Sequence, residues 1–113
     1  YAKQRKAGMI VELVTFEMPE GFTDEDLVAD ARGVVAKWQA NPDLIRKHFV
    51  KNAEGQVAGI YIWPDKDAAE RAHNADWIVK FRERTGTEPT FTYYDLFMVI
   101  DNEAGTVSEF PLP

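Results

Sequence analysis

The sequence predicts an α+β domain in which two helices cover one face of a four-stranded antiparallel sheet, in the order β-α-β-β-α-β. Three observations carry that prediction. Four apolar runs have the length of strands, and the middle two are joined by the turn Asn52-Ala53-Glu54-Gly55. Two stretches with helical apolar spacing fill the gaps before and after that hairpin. Residues that start or stop helices stand at the boundaries.

Met9 to Met18 forms the first strand, with Ile10, Val11, Leu13, Val14 and Phe16 on its two faces, and Pro19-Glu20-Gly21 breaks it. Thr23 can cap the first helix, and Asp24-Glu25-Asp26 complement the positive end of its dipole. Leu27, Ala31, Val34, Val35 and Trp38 make one stripe, which ends at Asn41-Pro42 because the residue before proline leaves the α region. Leu44 to Lys51 and Gln56 to Trp63 form the hairpin. Counting outward from a four-residue loop pairs Val50 with Val57, His48 with Gly59, Arg46 with Tyr61 and Leu44 with Trp63. All eight then share one sheet face. Ile45, Phe49, Ala58, Ile60 and Ile62 are left as the surface the helices cover. A slip of one residue would invert the assignment.

Pro64 stops the third strand and Asp65 can cap the second helix. Residues 67–84 read as that helix, with an interruption at Asn74-Ala75-Asp76 and a stop at Thr85-Gly86. Pro89 precedes a fourth strand over residues 90–100, Asp101 to Gly105 is a turn, and residues 106–113 are an extended tail. The domain spans residues 9–105; residues 1–8 are a basic N-terminal extension to which no function is assigned. This order is the split-βαβ, ferredoxin-like pattern. The central Gly59-Ile60-Tyr61-Ile62-Trp63 run is apolar on both faces, as is Leu96 to Ile100, so the sheet face without helices needs a cover. A second copy supplies it most simply. The expectation is a homodimer whose two sheets face each other as an α/β barrel, with a cavity in each half.

The chain has 113 residues, 45% of them apolar and 28% charged, as one soluble domain does. A net charge of -6 argues against nucleic acid as a partner, since phosphate neutralisation needs clustered Lys and Arg. Cysteine is absent, which excludes disulfides, thiolate metal sites and a Cys nucleophile and suits the cytoplasm. No apolar run is long enough to span a bilayer and no signal-peptide pattern occurs, so no membrane partner is expected.

Val57-Ala58-Gly59-Ile60-Tyr61-Ile62-Trp63-Pro64, the helix from Ala68 to Trp77, and Tyr93 to Asn102 together resemble the YdhR-like monooxygenases of the dimeric α/β-barrel superfamily. The resemblance covers about Met9 to Gly105. It implies a dimer and a cofactor-independent monooxygenase that holds a small aromatic, such as a phenol or quinol, whose electron-rich anion reduces oxygen directly. Trp63 is similar in position to a cavity tryptophan of these oxygenases. Their companion asparagine has no counterpart, because Gly59 stands four residues earlier. Ala72 and Arg82 occupy the positions of the tryptophan and histidine of haem-degrading relatives, so no haem is expected.

On the hairpin face that carries Arg46, His48, Tyr61 and Trp63, His48 is the candidate base, its pKa lying near neutral. Arg46 would stabilise the resulting oxyanion. Tyr61 and Trp63 would stack on a flat substrate, with Gly59 leaving room beside them. The competing readings put His48 and Arg46 at an exposed sheet edge, and Tyr61 and Trp63 in simple dimer packing. Glu12 interrupts an apolar strand and is either a carboxylate facing the cavity, as a substrate-binding group, or an exposed residue near the strand end. One of Tyr93 and Tyr94 faces the cavity. His73 and Asp76 read as a solvated helix face. No spacing of His and carboxylates suggests a metal. Two other functions fit the same fold: an isomerase or lyase of small lactones or aldehydes, and a non-enzymatic dimer that binds a small ligand.

Overall fold

Strand β1 (Ile10–Glu17) lies inside the sheet, flanked by β3 (Gln56–Trp63) and β4 (Thr90–Asp95), with β2 (Arg46–Lys51) beyond β3. The order β2-β3-β1-β4, with antiparallel pairing at each junction, is the α+β, ferredoxin-like arrangement expected. The computed structural model describes residues 8–113; most of the N-terminal extension lies outside the described residues. Helices α1 (Asp24–Gly33), α2 (Val35–Gln39), α3 (Lys66–Ala72) and α4 (Ala75–Thr85) complete the domain.

The helix boundaries follow from short-range chemistry. Thr23 accepts from the Asp26 N–H at 3.1 Å, and its own N–H donates back to the Asp26 carboxylate at 3.0 Å, closing a capping box. Asp65 and Asn74 cap α3 and α4 by accepting from Ala68 and Trp77. Gly86 ends α4 at φ +69°, which costs little without a Cβ. The first helical stretch departs from expectation. It breaks at Val34 (φ -106°, ψ 0°), just after the weak helix former Gly33. The predicted fourth strand also divides at Leu96-Phe97. Leu96 donates to the Met9 carbonyl at the end of the main sheet. The chain then turns away into a separate hairpin of β5 (Met98–Asp101) and β6 (Thr106–Glu109). The first half of the predicted tail is therefore a paired strand.

The register of the β2–β3 hairpin corrects the sequence reading. Asn52 closes the turn: its N–H donates to the Gln56 carbonyl, and its side-chain oxygen accepts from the N–H groups of Glu54 and Gln56. The loop proper is thus Ala53-Glu54-Gly55, three residues with Gly55 at φ +84°. Three residues instead of four shift the pairing by one, and a shift of one exchanges the faces. Lys47 pairs with Tyr61, Phe49 with Gly59, Arg46 with Ile62 and His48 with Ile60. Tyr61 and Trp63 point toward the helices and are buried, at 3% and 0% exposure. Ile60 and Ile62 point to the helix-free face, where Val11 and Leu13 of β1 join them half-buried.

The core forms between the helices and the other sheet face, from Ile10, Val14, Trp38, Tyr61, Trp63, Ala68 and Ala69. Tyr61 folds back over Gly59, and a Cβ built there would lie 2.8 Å from the Tyr61 ring and 3.3 Å from the Lys47 stem. Gly59→Ala is accordingly expected to destabilise the fold by about 1–3 kcal/mol through overpacking. The measurement is the urea midpoint; an unchanged midpoint would show that the ring moves aside without cost.

Candidate active site

Between the sheet and helices α1, α2 and α4 lies a cavity of about 690 Å³, the size of a small-molecule site. Phe16, Trp38, Phe49, Tyr61, Trp77 and Phe81 contribute its aromatic walls. Phe16 meets Phe81 edge-on at 4.8 Å, Phe81 stacks on Trp77 at 4.9 Å, and Trp38 meets Tyr61 edge-on at 5.2 Å. These contacts fix the ring orientations, because offset and edge-to-face packing are the preferred aromatic geometries. The walls come from α2, α4 and three strands, so the cavity is a product of the tertiary fold.

Lys47 carries a charged group in among these walls. Its stem passes over Gly59, and its amine sits 3.9 Å from the Phe49 ring centroid and 4.6 Å from those of Trp38 and Tyr61. Burial, with the nearby charges of Lys37 and Arg84 adding to it, pulls the Lys47 ammonium down to about 7, while Asp30 and Glu12 act weakly in the opposite direction. The ring faces favour the cation and so act against the effect of burial. The result is an amine that exchanges its proton well below the ordinary lysine range. Burial raises the Tyr61 hydroxyl, so this phenol stays protonated.

Behind that wall is a buried polar cluster. Glu12 has no exposed surface, and its Oε1 accepts a hydrogen bond from Trp63 Nε1 at 2.9 Å. His73 Nδ1 lies 2.8 Å from the same oxygen, outside the direction along which a ring N–H donates. Glu12 Oε2 and His73 Nε2 have no hydrogen-bond partner among the described residues. The imidazole is enclosed edge-on by Tyr61 at 4.7 Å and Trp77 at 4.5 Å. The Tyr93 phenol, raised by burial and by the Glu12 charge, belongs to this side of the sheet.

The structure does not bring the predicted site residues together. Tyr61 and Gly59 line the cavity. Trp63 and Glu12 lie behind it: Glu12 is buried and bound to Trp63, so it faces neither the cavity nor solvent, and both readings of it are corrected. His48 and Arg46 are exposed on the opposite sheet face, with Arg46 3.8 Å from Asp101. The one-residue register shift is the physical reason. Tyr94 is 56% exposed, so Tyr93 is the tyrosine on the helix-covered side. His73 is buried and not on a solvated face, because it is the non-helical residue ending α3 (φ -109°, ψ 53°) and turns inward. Lys47, Lys37, Trp38 and Trp77 carried no signal as site residues in the four-residue-loop register. With the three-residue loop, alternation alone would have placed Lys47 beside Tyr61.

Removing the Glu12 carboxylate strands a fully buried Trp63 N–H. Glu12→Leu is expected to cost about 1–3 kcal/mol on that account, and Glu12→Gln, which keeps an acceptor, distinctly less. Urea unfolding of the two variants checks this, and equal losses would show that the hydrogen bond contributes nothing.

The chain matches no family model and no curated protein. Among solved structures it is similar to the ActVA-Orf6 monooxygenase of Streptomyces coelicolor, in complex with nanaomycin D. The identity is 21% and the TM-score 0.62, over 83% of this chain and 92% of that one. It is likewise similar to a variant of SnoaB, a cofactor-independent oxygenase of Streptomyces nogalater, at 17% identity and TM-score 0.59, over 80% and 96% of the two chains. Protein SO0527 of Shewanella oneidensis gives 18% identity and TM-score 0.63, over 80% and 93%. At these identities the likeness shows the fold alone: an α+β, ferredoxin-like domain built on a four-stranded antiparallel sheet.

Proposed function

We propose that the protein is a cofactor-independent monooxygenase of small hydroxyaromatic compounds, acting in the cavity between sheet and helices. The observation that carries this reading is the Lys47 amine held among Trp38, Phe49 and Tyr61 at an aromatic-walled cavity. Support comes from the fold shared with two proteins described as a monooxygenase and a cofactor-independent oxygenase. The sequence resemblance to the YdhR-like monooxygenases points the same way. The base in this reading is Lys47 and not His48, since His48 lies across the sheet from the aromatic walls.

The chemistry balances without an external reductant. Neutral Lys47 takes the phenolic proton, and the ammonium it becomes stabilises the phenolate in surroundings that water screens poorly. The phenolate passes one electron to O2, and the radical pair joins at a ring carbon as a peroxide anion. Lys47 returns its proton to the distal oxygen. Loss of water, using the C–H proton of that ring carbon, leaves a quinone carbonyl and a neutral lysine. One oxygen atom enters the ring, the other leaves as water, and the substrate supplies all four electrons.

Oxygen uptake with a panel of phenols and naphthols tests the reading. Lys47→Met is expected to lose about 10²–10⁴-fold in turnover with an unchanged circular dichroism spectrum. In the wild type, kcat/KM should rise with pH through a midpoint well below the ordinary lysine value, because only the neutral amine is a base. Full activity in Lys47→Met would overturn the role. Turnover that persists without oxygen would indicate the isomerase or lyase instead.

The protein is further proposed to be a homodimer formed through the helix-free sheet face. Val11, Leu13, Ile60 and Ile62 there are only half-buried, and Val50 and Tyr94 are exposed at 42% and 56%. Sedimentation should give twice the 12.9 kDa chain mass, and Ile60→Asp should give the monomer; a wild-type monomer would remove the proposal.

A further inference from the structure

We propose that the ligand of this cavity carries a carboxylate in addition to its phenol, and that Lys37 binds it. The inference rests on the reading of the Lys47 cavity as the substrate site and names the substrate class: a hydroxyaromatic acid.

The charge distribution supplies the first argument. The whole chain is acidic, at -6, yet the cavity is lined by five cations, Lys37, Lys47, Lys51, Lys80 and Arg84, against three carboxylates. Each carboxylate already has a partner. Asp24 pairs with Lys51 at 2.7 Å, Asp76 with Lys80 at 3.0 Å, and Asp30 with Arg84. Lys37 and Lys47 are left, and among the described residues neither has a carboxylate within ion-pair distance. Like charges gathered at an apolar cavity repel each other, and both amines are shifted down accordingly: Lys37 by burial and then by Arg84 and Lys80, Lys47 by burial and then by Lys37 and Arg84. An anion bound between them relieves that repulsion.

Geometry supplies the second argument. The two amines share one indole, with Lys37 Nζ 5.0 Å and Lys47 Nζ 4.6 Å from the Trp38 ring centroid, and Lys37 is also 5.9 Å from that of Trp77. A ligand seated beside Trp38 therefore meets two amines gathered at one indole. The enclosed Lys47 suits the group that loses its proton during reaction. Lys37 lines the cavity and is exposed, which suits a group that is already an anion on arrival from water. Once Lys47 has served as the neutral base, Lys37 supplies one uncompensated positive charge, the complement of one carboxylate.

Binding measured without oxygen tests the inference separately from turnover. Anaerobic calorimetric titration would compare 6-hydroxy-2-naphthoate with its carboxamide, which has the same shape and phenol but no charge. The acid is expected to bind at least about tenfold more tightly. Lys37→Gln should abolish the preference while leaving the amide's affinity unchanged. Lys37→Arg should keep it, and so should Lys80→Gln, whose lysine is already paired. Equal affinities for acid and amide, a preference that survives in Lys37→Gln, or no binding of either compound would overturn the proposal. A preferred acid that is never oxidised would leave this inference standing and remove the oxygenase reading. Oxidation of naphthols with no preference for the acid would do the reverse.

Discussion

Everything about the cavity depends on how many residues lie in one turn. Asn52 bonds across to Gln56 and holds the N–H groups of Glu54 and Gln56 with its side chain, so the loop between the middle strands has three residues. That fixes Lys47 opposite Tyr61 and sends Lys47, Phe49 and Lys51 toward the helices. Had the loop one residue more, the same strand would offer Arg46 and His48 there. Side chains alternate with period two, so the hairpin has no intermediate arrangement. A local choice of turn geometry thus selects which titratable group the aromatic walls enclose.

The walls need support from behind, and the buried cluster provides it. Trp63 is locked by its hydrogen bond to Glu12 and stacks nearly parallel to Tyr61, with centroids 5.9 Å apart. Tyr61 in turn lies over Gly59 and under the Lys47 amine. A change at the carboxylate is therefore transmitted to the cavity through two rings, each with little freedom to rotate in a close-packed interior. Burying a carboxylate is costly unless it is hydrogen-bonded, and the Trp63 N–H offsets part of that cost while setting the ring's orientation.

The parts of this structure legible in the sequence are those decided within a few residues. Thr23, Asp65, Asn74 and Gly86 each terminate a helix through contacts to their own neighbours, and each boundary follows from residue type. The strand order follows from the alternation of strand-like and helical runs. Less legible was anything that turned on one-residue arithmetic or on leaving a regular element. His73 belongs to neither of its flanking helices, so helical spacing did not apply to it. Nothing in its residue type singled out Lys47, and only its long apolar stem lets a charged residue lie along the inner surface. The break at Leu96 depended on a hydrogen bond to Met9, which is distant in sequence. Glu12 was visible as an interruption in an apolar strand, but not its partner Trp63, which pairing across two strands brings within reach.

The position of β2 at the sheet edge has a consequence for local stability. Its backbone ladder is satisfied on the β3 side alone, whereas β1 and β3 are bonded on both sides. Edge strands open locally at lower free energy than the strands inside them. The enclosed amine is therefore carried by the cavity-lining strand with the fewest backbone bonds to the sheet. Of the three strands that wall the cavity, β2 is thus the one whose backbone is held from a single side.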